Sequence, residues 1–375
     1  MQNAIIPFYQ PSDKLIVRSK DCSQFDTEGK KYIDFDSGVW CANLGHSNDR
    51  IVRIIEEQAK TSIHHGYRFR NALSEKLSVE LLDILGMTGG QSAFLSSGSE
   101  AVNSAITLAK KFTGRQKVLK MDLSYLSAFG HGHISDLNTD LLTVPMNDSD
   151  ALRTIYFSEI AAFVFEPGTA FGTIHFPSEE FIDEIVCKCR ENGVLLVADE
   201  VTCGFGRTGR WFGFQHYNFA PDIVAMGKAL GNGYPVSAVS ITAEMAKLFV
   251  QNPFRYAQSH QNDPLGCAIG LELIQTIHDE DLISRANKTG RYFRGKLVNI
   301  QEKHPDKIKE IRSRGLMLAL ELFPEVEGEK LNNDLFEQGF IVGFRNNVLR
   351  FMPPLTIEHR DINLLVFAVD DWLQI

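Results

Sequence analysis

The chain has 375 residues, enough for two domains and a large core, and its 44% hydrophobic and 23% charged content is that of an ordinary soluble protein. A net charge of −9 argues against nucleic-acid or anionic-membrane partners but leaves room for a local cationic pocket. The six scattered cysteines form no Cys-x-x-Cys pair, no basic-then-apolar leader opens the chain, and no apolar run approaches the ~20 residues that span a bilayer, so a cytoplasmic protein with reduced thiols is expected.

In chain order, strand-like alternation appears at 15–18 and 31–36, followed by an irregular stretch, SGVWCANLGH. Trp40 sits in that stretch and reads first as a packing aromatic. Residues 51–60 turn helical, with Ile51, Ile54, Ile55 and Ala59 on one side, and 74–85 repeat the pattern with Leu77, Leu81, Leu82 and Leu85. A short strand at 93–96 meets a turn at Gly98 and Ser99, and Val102, Ala105, Ile106, Ala109 and Phe112 then recur at helical spacing. A Gly/Ser turn opening a helix leaves outward backbone N–H groups and a positive dipole end, which suits a phosphate. A plain serine cap is the alternative.

Residues 117–121 and 141–144 read as strands. The loop between them carries His131 and His133 without a third ligand at a telling spacing, so no metal is expected there. An apolar run at 160–165 ends in Glu166-Pro167-Gly168, a helix follows over 178–192, and a second apolar run at 194–198 ends on Asp199 and Glu200. Strands at 223–226 and 236–241 complete an alternating pattern. It predicts an α/β fold with a mainly parallel sheet covered on both faces and ligands bound beyond the carboxyl ends of its strands. Glu166, Asp199 and Lys228 all lie at or just past such an end. After about residue 245, helices at 263–279 and 282–304, strands within 308–322, 339–344 and 348–351, and a closing helix at 361–373 read as a smaller α+β domain.

A lone lysine among Met226, Gly227, Ala229 and Leu230 has its ammonium form disfavoured, and its amine becomes a nucleophile fit for an aldehyde. A lysine snorkelling to the surface is the bland alternative. Asp199 can pair with a protonated pyridine nitrogen, and Val201, two residues on along the same strand face, can pack on the ring. Tyr125 offers a second flat surface, Gly98-Ser99 a phosphate turn, and Arg350 in LRFMPPL a planar grip for a substrate carboxylate. Together these make a pyridoxal-phosphate site. GFGRTG at 204–209 matches G-x-G-x-x-G, but Arg210-Trp211-Phe212-Gly213-Phe214 is poor helix material, so a dinucleotide site is rejected.

At these residues the sequence resembles the class III aminotransferases, of the aspartate-aminotransferase-like fold type I. The resemblance runs along nearly the whole chain, through LGH at 44–46, SSGSEA at 96–101, VFEPG at 164–168, ADEVTCGFGRTG at 198–209, APDIVAMGKALGNGYPVSAV at 220–239 and PPLTI at 353–357. It implies that Lys228 forms the imine with the cofactor and then moves the substrate proton, while Asp199 holds the pyridinium. Val201 and Tyr125 would flank the ring, Gly98 and Ser99 would bind phosphate, Glu166 would support the site, and Arg350 would bind substrate carboxylate. Ser259 stands where the family has a threonine that reaches the phosphate of the other subunit, so a homodimer with interfacial active sites is implied. The expected division is an N-terminal segment, 1–45, joining the small domain, a large cofactor-binding domain, 46–245, and a C-terminal small domain, 246–375.

Departures from the family bear on the substrate. Thr202 replaces a common glutamine near the cofactor's 3′ oxygen. Ala128 falls where members acting on acetylornithine carry an arginine. Phe171 falls where members acting on ω-amines often carry a glutamate. An Arg350 left unmasked, beside Phe171 and Trp40, points to a carboxylate-bearing substrate in an aromatic pocket. The expected reaction is amino transfer to a 2-oxo acid such as 2-oxoglutarate or pyruvate. The alternative is a racemase, epimerase, lyase or aminomutase of the same family. A non-catalytic relic is opposed by the retention of Lys228, Asp199 and the phosphate turn.

Overall fold

The computed structural model describes residues 5, 6, 8–135, 137–169, 172–253 and 255–374. Its centre is a seven-stranded sheet whose spatial order is Gln91–Leu95, Ser237–Ile241, Ile223–Met226, Leu195–Asp199, Ile160–Phe165, Lys117–Met121 and Leu141–Val144. Ser237–Ile241 runs antiparallel to both its neighbours, and the remaining adjacent pairs are parallel. Every residue of Ile160–Phe165, Ile223–Met226 and Ser237–Ile241 is buried. Successive side chains of a strand point to opposite faces. Accordingly Ala162 and Val164 pack with Ala101, Val102, Ala105 and Ala109 of the helix Gly98–Thr113, whereas Phe163 and Phe165 belong to a separate core with Phe181, Ile182 and Ile185 of the helix Glu179–Glu191. Two cores on one sheet explain why these strands read as continuous apolar runs rather than as alternation.

Side-chain caps mark where the covering helices begin. Asn48, Asn71, Ser97, Ser178 and Thr242 each accept a backbone N–H from the first turn that follows them, an arrangement worth about 1 kcal/mol per helix. Among the described residues no helix is long and apolar enough to cross a membrane.

Two smaller sheets stand apart from the large one. Ile308–Arg314, Met317–Leu322, Val348–Phe351 and Gly343–Arg345 form an antiparallel sheet in that order. Ile16–Lys20, Ser23–Asp26, Lys31–Asp34 and Phe340–Ile341 form another, in which the final pair is parallel. The run expected at 339–344 is therefore two strands, one in each small sheet. The strand Ser23–Asp26 was not legible, because SQFD carries no apolar alternation.

The segment expected to extend to residue 36 stops at Asp34 for a local reason. The Asp34 carboxylate accepts the N–H groups of Asp36 at 2.8 Å and Gly38 at 2.9 Å, which turns the chain. The irregular stretch that follows opens with a left-handed turn, Ser37–Trp40. Ser37, Gly38, Val39 and Trp40 have φ of 44°, 60°, 57° and 66°. Each non-glycine residue in that region costs roughly 1–2 kcal/mol. The turn persists because it is held from outside: Ser37 Oγ donates to the Met352 carbonyl at 2.7 Å, and Trp40 Nε1 donates to Asp36 Oδ1 at 2.7 Å.

Candidate active site

Lys228, Asp199 and Glu166 lie at the carboxyl ends of three adjacent parallel strands. Asp199 is the last residue of its strand and is buried. Its Oδ1 accepts the Val201 N–H at 3.1 Å, its one hydrogen bond among the described residues. Burial pushes its carboxyl up to about 6, against the pull of that N–H and of the nearby Lys228 charge. Val201 thus lies in the turn after the strand rather than two residues along the same face. The Asp199 carboxylate takes the N–H that a further ladder rung would have used. The adjacent Glu200 faces elsewhere. It is buried, accepts the Phe214 N–H at 2.7 Å and the Gly213 N–H at 2.8 Å, and so shapes the loop that follows.

Lys228 opens a tight turn, Lys228–Gly231, with a φ of 41°. Its Nζ donates to Thr202 Oγ1 at 2.6 Å and lies 4.6 Å from the centre of the Trp40 ring. Burial lowers the lysine below its ordinary value, while the Asp199 and Glu166 carboxylates work to raise it. The Arg350 guanidinium carbon is 5.3 Å from the Trp40 ring centre. Arg350 projects from Val348–Phe351, opposite Ala319 and Gly343. Lys228, Thr202, Trp40 and Arg350 are therefore brought together, and the left-handed turn is what sets Trp40 among them.

The phosphate turn is tighter than expected. Gly98 and Ser99 are the first residues of the helix Gly98–Thr113, and Ser97 rather than Ser99 is its cap, accepting the Glu100 N–H at 3.2 Å. Among the described residues the Gly98 and Ser99 N–H groups donate to no acceptor. A Cβ on Gly98 would stand 2.6 Å from Val201 Cγ1, and one on Gly227 would stand 3.0 Å from the Gly98 Cα. Three chain segments meet here at a distance only glycine allows. Ser99 Oγ accepts the Ala128 N–H at 2.9 Å, which ties the loop after Lys117–Met121 to this helix end.

Tyr125 lies in that loop, and its N–H donates to Glu166 Oε2 at 3.2 Å. Sequence reasoning missed what fixes the loop. Lys120 is buried, and its Nζ donates to the carbonyls of Met121, Asp122 and Ser124 at 2.9, 3.2 and 3.2 Å. The signal was a lysine inside an otherwise apolar strand, KVLKM.

Ser259 is not part of this cluster: it is exposed and makes no hydrogen bond among the described residues. Its neighbours do reach the helix end, since Gln258 Nε2 donates to Ser96 Oγ at 3.0 Å and Tyr256 OH to Glu100 Oε1 at 2.5 Å. Phe171 lies outside the described residues. His131 sits 3.2 Å from Lys110 Nζ, a poor neighbour for a cation ligand. GFGRTG opens no helix. Its Arg207 is fully buried and donates to Asn43 Oδ1 at 2.6 Å, to the Leu316 carbonyl at 3.1 Å and to the Pro353 carbonyl, so it ties distant segments together.

The site fits pyridoxal phosphate on three observations: unused N–H groups at a glycine helix start, a buried carboxylate with one oxygen left without a hydrogen bond among the described residues, and a lysine whose ammonium form is disfavoured by burial.

Comparison with known proteins agrees. A family model described as Aminotransferase class-III matches residues 8–373. An acetylornithine aminotransferase of Methanocaldococcus jannaschii is 33% identical over 375 residues, covering 95% of this chain and 92% of that protein. The crystal structure of an acetylornithine aminotransferase from Elizabethkingia anophelis matches with a TM-score of 0.88 at 28% identity, covering 100% of this chain and 97% of that one. An ornithine aminotransferase from Toxoplasma gondii, with partial occupancy of pyridoxal phosphate at its active site, matches with a TM-score of 0.90 at 25% identity, covering 99% and 92%. With lysine, acid and helix end arranged at the strand ends of an α/β sheet, the chain belongs to the class III aminotransferases, pyridoxal-phosphate enzymes of fold type I that carry out transamination.

Proposed function

We propose that this enzyme transfers the amino group of a carboxylate-bearing donor to a 2-oxo acid, with Lys228 as its catalytic base. The observation that carries this reading is the placement of one aromatic ring, Trp40, against both the Lys228 amine and the Arg350 guanidinium. A carboxylate on Arg350 brings the rest of a substrate past Trp40 toward Lys228.

When bound, pyridoxal phosphate supplies an electrophilic aldehyde and a ring that draws electrons from the substrate carbon. The chain supplies the rest. Gly98 and Ser99 would hold the phosphate with backbone N–H groups. Asp199 would offer a carboxylate oxygen to the ring nitrogen, and Val201 and Tyr125 would flank the ring. Glu166 anchors the Tyr125 backbone. Thr202 accepts the Lys228 N–H and aims Nζ, and Lys228 takes and returns the proton at the substrate carbon. Arg350 orients the carboxylate, and Trp40 screens the lysine from bulk water.

The relatives' substrate makes N-acetylornithine the first donor to test. The absence of an arginine at Ala128 makes other ω-amino and α-amino acids the necessary comparison. A panel of N-acetylornithine, ornithine and alanine against 2-oxoglutarate and pyruvate decides it. Amino transfer to neither oxo acid from any donor, with deuterium exchange at the donor carbon, would replace this reading with racemisation. A Lys228→Ala protein that keeps the cofactor's covalent absorbance would sink the lysine assignment.

The same reading includes a homodimer, in which an exposed Ser259 serves the phosphate site of the other subunit, and a cytoplasmic location, supported by six unpaired cysteines. It divides the chain into a large domain, 46–245, and a small one built from 1–45 and 246–375. The pairing of Lys31–Asp34 with Phe340–Ile341 supports that division.

A further inference from the structure

Among the described residues, one group of three side chains could hold a metal ion: His64, His260 and Asp263, whose ligand atoms all lie within 4.8 Å of one another. His64 Nδ1 is 2.6 Å from Asp263 Oδ1, and His260 Nδ1 is 2.5 Å from Asp263 Oδ2. The two imidazole centroids are 4.7 Å apart.

Asp263 is the fixed member. Its side chain is only 10% exposed. The residue before it, Asn262, is pinned to Phe94 through both its backbone and its side chain, at 2.9 and 2.8 Å. The residue after it, Pro264, starts the helix Pro264–Asp279. Asp263 stands at the cap position of that helix, yet its side chain caps nothing and is given wholly to the imidazoles. The histidines are the movable members, with side chains 42% and 64% exposed. A cavity of about 170 Å³, lined by His260, Asp263, Ser96 and Tyr234 among others, opens beside the group and leaves room for a further ligand such as water.

We propose that His64, His260 and Asp263 form a zinc site of the three-ligand, open-position kind. Two imidazoles and a carboxylate on one small centre are a set that zinc takes up. Ligands on zinc at bond lengths of about 2.0–2.1 Å stand roughly 3.3 Å apart, so the two short contacts open by under about 1 Å as the exposed imidazoles turn. Each imidazole would meet the ion through Nδ1, with its ring proton on Nε2. The site joins the loop after Asp49–Thr61 to the segment 255–262. Through Gln258 and Tyr256 that segment is tied to Ser96 and Glu100 at the phosphate-binding helix. Zinc therefore fixes the segment that carries Ser259.

The test uses the full-length enzyme, loaded with pyridoxal phosphate, stripped of metal by chelation and dialysed against zinc chloride. One bound zinc per chain is expected, with a raised unfolding temperature. Cobalt(II) in its place should give the visible absorbance of a tetrahedral site. His64→Gln and His260→Ala should each weaken binding at least about tenfold while leaving cofactor absorbance intact. His278→Ala, a change at an exposed histidine elsewhere, should bind zinc as the parent does. Absence of bound zinc overturns the proposal. So does zinc that persists in the His64→Gln/His260→Ala double variant, or zinc lost on Cys187→Ser alone.

Discussion

The Trp40 ring has the Lys228 amine 4.6 Å from its centre and the Arg350 guanidinium 5.3 Å from it. One aromatic ring thus links the group that handles the substrate proton to the group that anchors the substrate. The turn carrying Trp40 is left-handed and strained, and strain of this kind survives only where surrounding contacts impose it. Replacing Trp40 by leucine removes the ring from Lys228 and from the Arg350 guanidinium, and loss of the guanidinium contact costs about 0.5–2 kcal/mol. KM for a carboxylate donor should rise roughly 2- to 30-fold in steady-state assays. If Trp40 only packs, the variant will lose thermal stability with KM unchanged.

Thr202 Oγ1 is the hydrogen-bond acceptor for Lys228 Nζ, at 2.6 Å. Thr202→Val keeps the shape and deletes that acceptor. A net loss of about 1 kcal/mol predicts roughly a fivefold fall in kcat. The hydroxyl also favours the ammonium form of a lysine that burial already lowers. Its removal lowers Lys228 further, so the neutral amine persists to lower pH. The acid limb of kcat, which reports the substrate complex in which Lys228 acts as the base, should therefore move toward lower pH. A limb that stays in place would show that Thr202 does not tune the lysine.

Gly98 makes the closest approach of the site. An alanine there puts Cβ 2.6 Å from Val201 Cγ1, with the backbone of Gly98 itself already close to Gly227. Overpacking of this kind costs about 1–3 kcal/mol. The cost falls on the geometry of the Gly98 and Ser99 N–H groups. Gly98→Ala should bind pyridoxal phosphate about 5- to 150-fold more weakly in a titration of the cofactor-free protein. Val201→Ala in the same background opens the space and should restore part of the affinity. No recovery would place the defect elsewhere.

The outline of this site was legible in the sequence where local pattern decides it. Apolar runs ending on Glu166, Asp199 and just before Lys228 marked three adjacent strand ends, and a doubly covered sheet then places those ends together. The features that were not legible depend on contacts between remote segments. Ser37–Trp40 takes its left-handed turn from Asp34 and Met352, and nothing within SGVW announces it. Lys120 looked like a strand residue because its three acceptors belong to a loop whose path the sequence does not state. His64 and His260 meet only because the loops after Asp49–Thr61 and before Pro264–Asp279 converge. Val201 left its expected strand face because the Asp199 side chain competes for its N–H.

Asp199 gives a prediction whose sign differs between the cofactor-free and loaded protein. Burial raises its carboxyl to about 6, above the unfolded value of 3.8. The folded chain therefore binds the proton more tightly than the unfolded chain does. That stabilisation is complete below 3.8 and is lost as pH rises through about 6, leaving a buried charge at neutral pH. Glu200, pushed up to about 8 by burial, acts in the same direction over a higher range, but it is present in parent and variant alike and cancels in their difference. Cofactor-free Asp199→Asn should thus unfold at a higher temperature than the parent at pH 8, by on the order of a few degrees. The gain should vanish near pH 4. With pyridoxal phosphate added the order should reverse, because an amide cannot neutralise a protonated ring nitrogen and the variant gains less stability from the cofactor. Paired thermal melts at pH 4 and pH 8, with and without cofactor, separate these terms. If the cofactor-free variant is less stable than the parent at pH 8, Asp199 is held by contacts other than those described, and its role as the ring-nitrogen partner loses its physical basis.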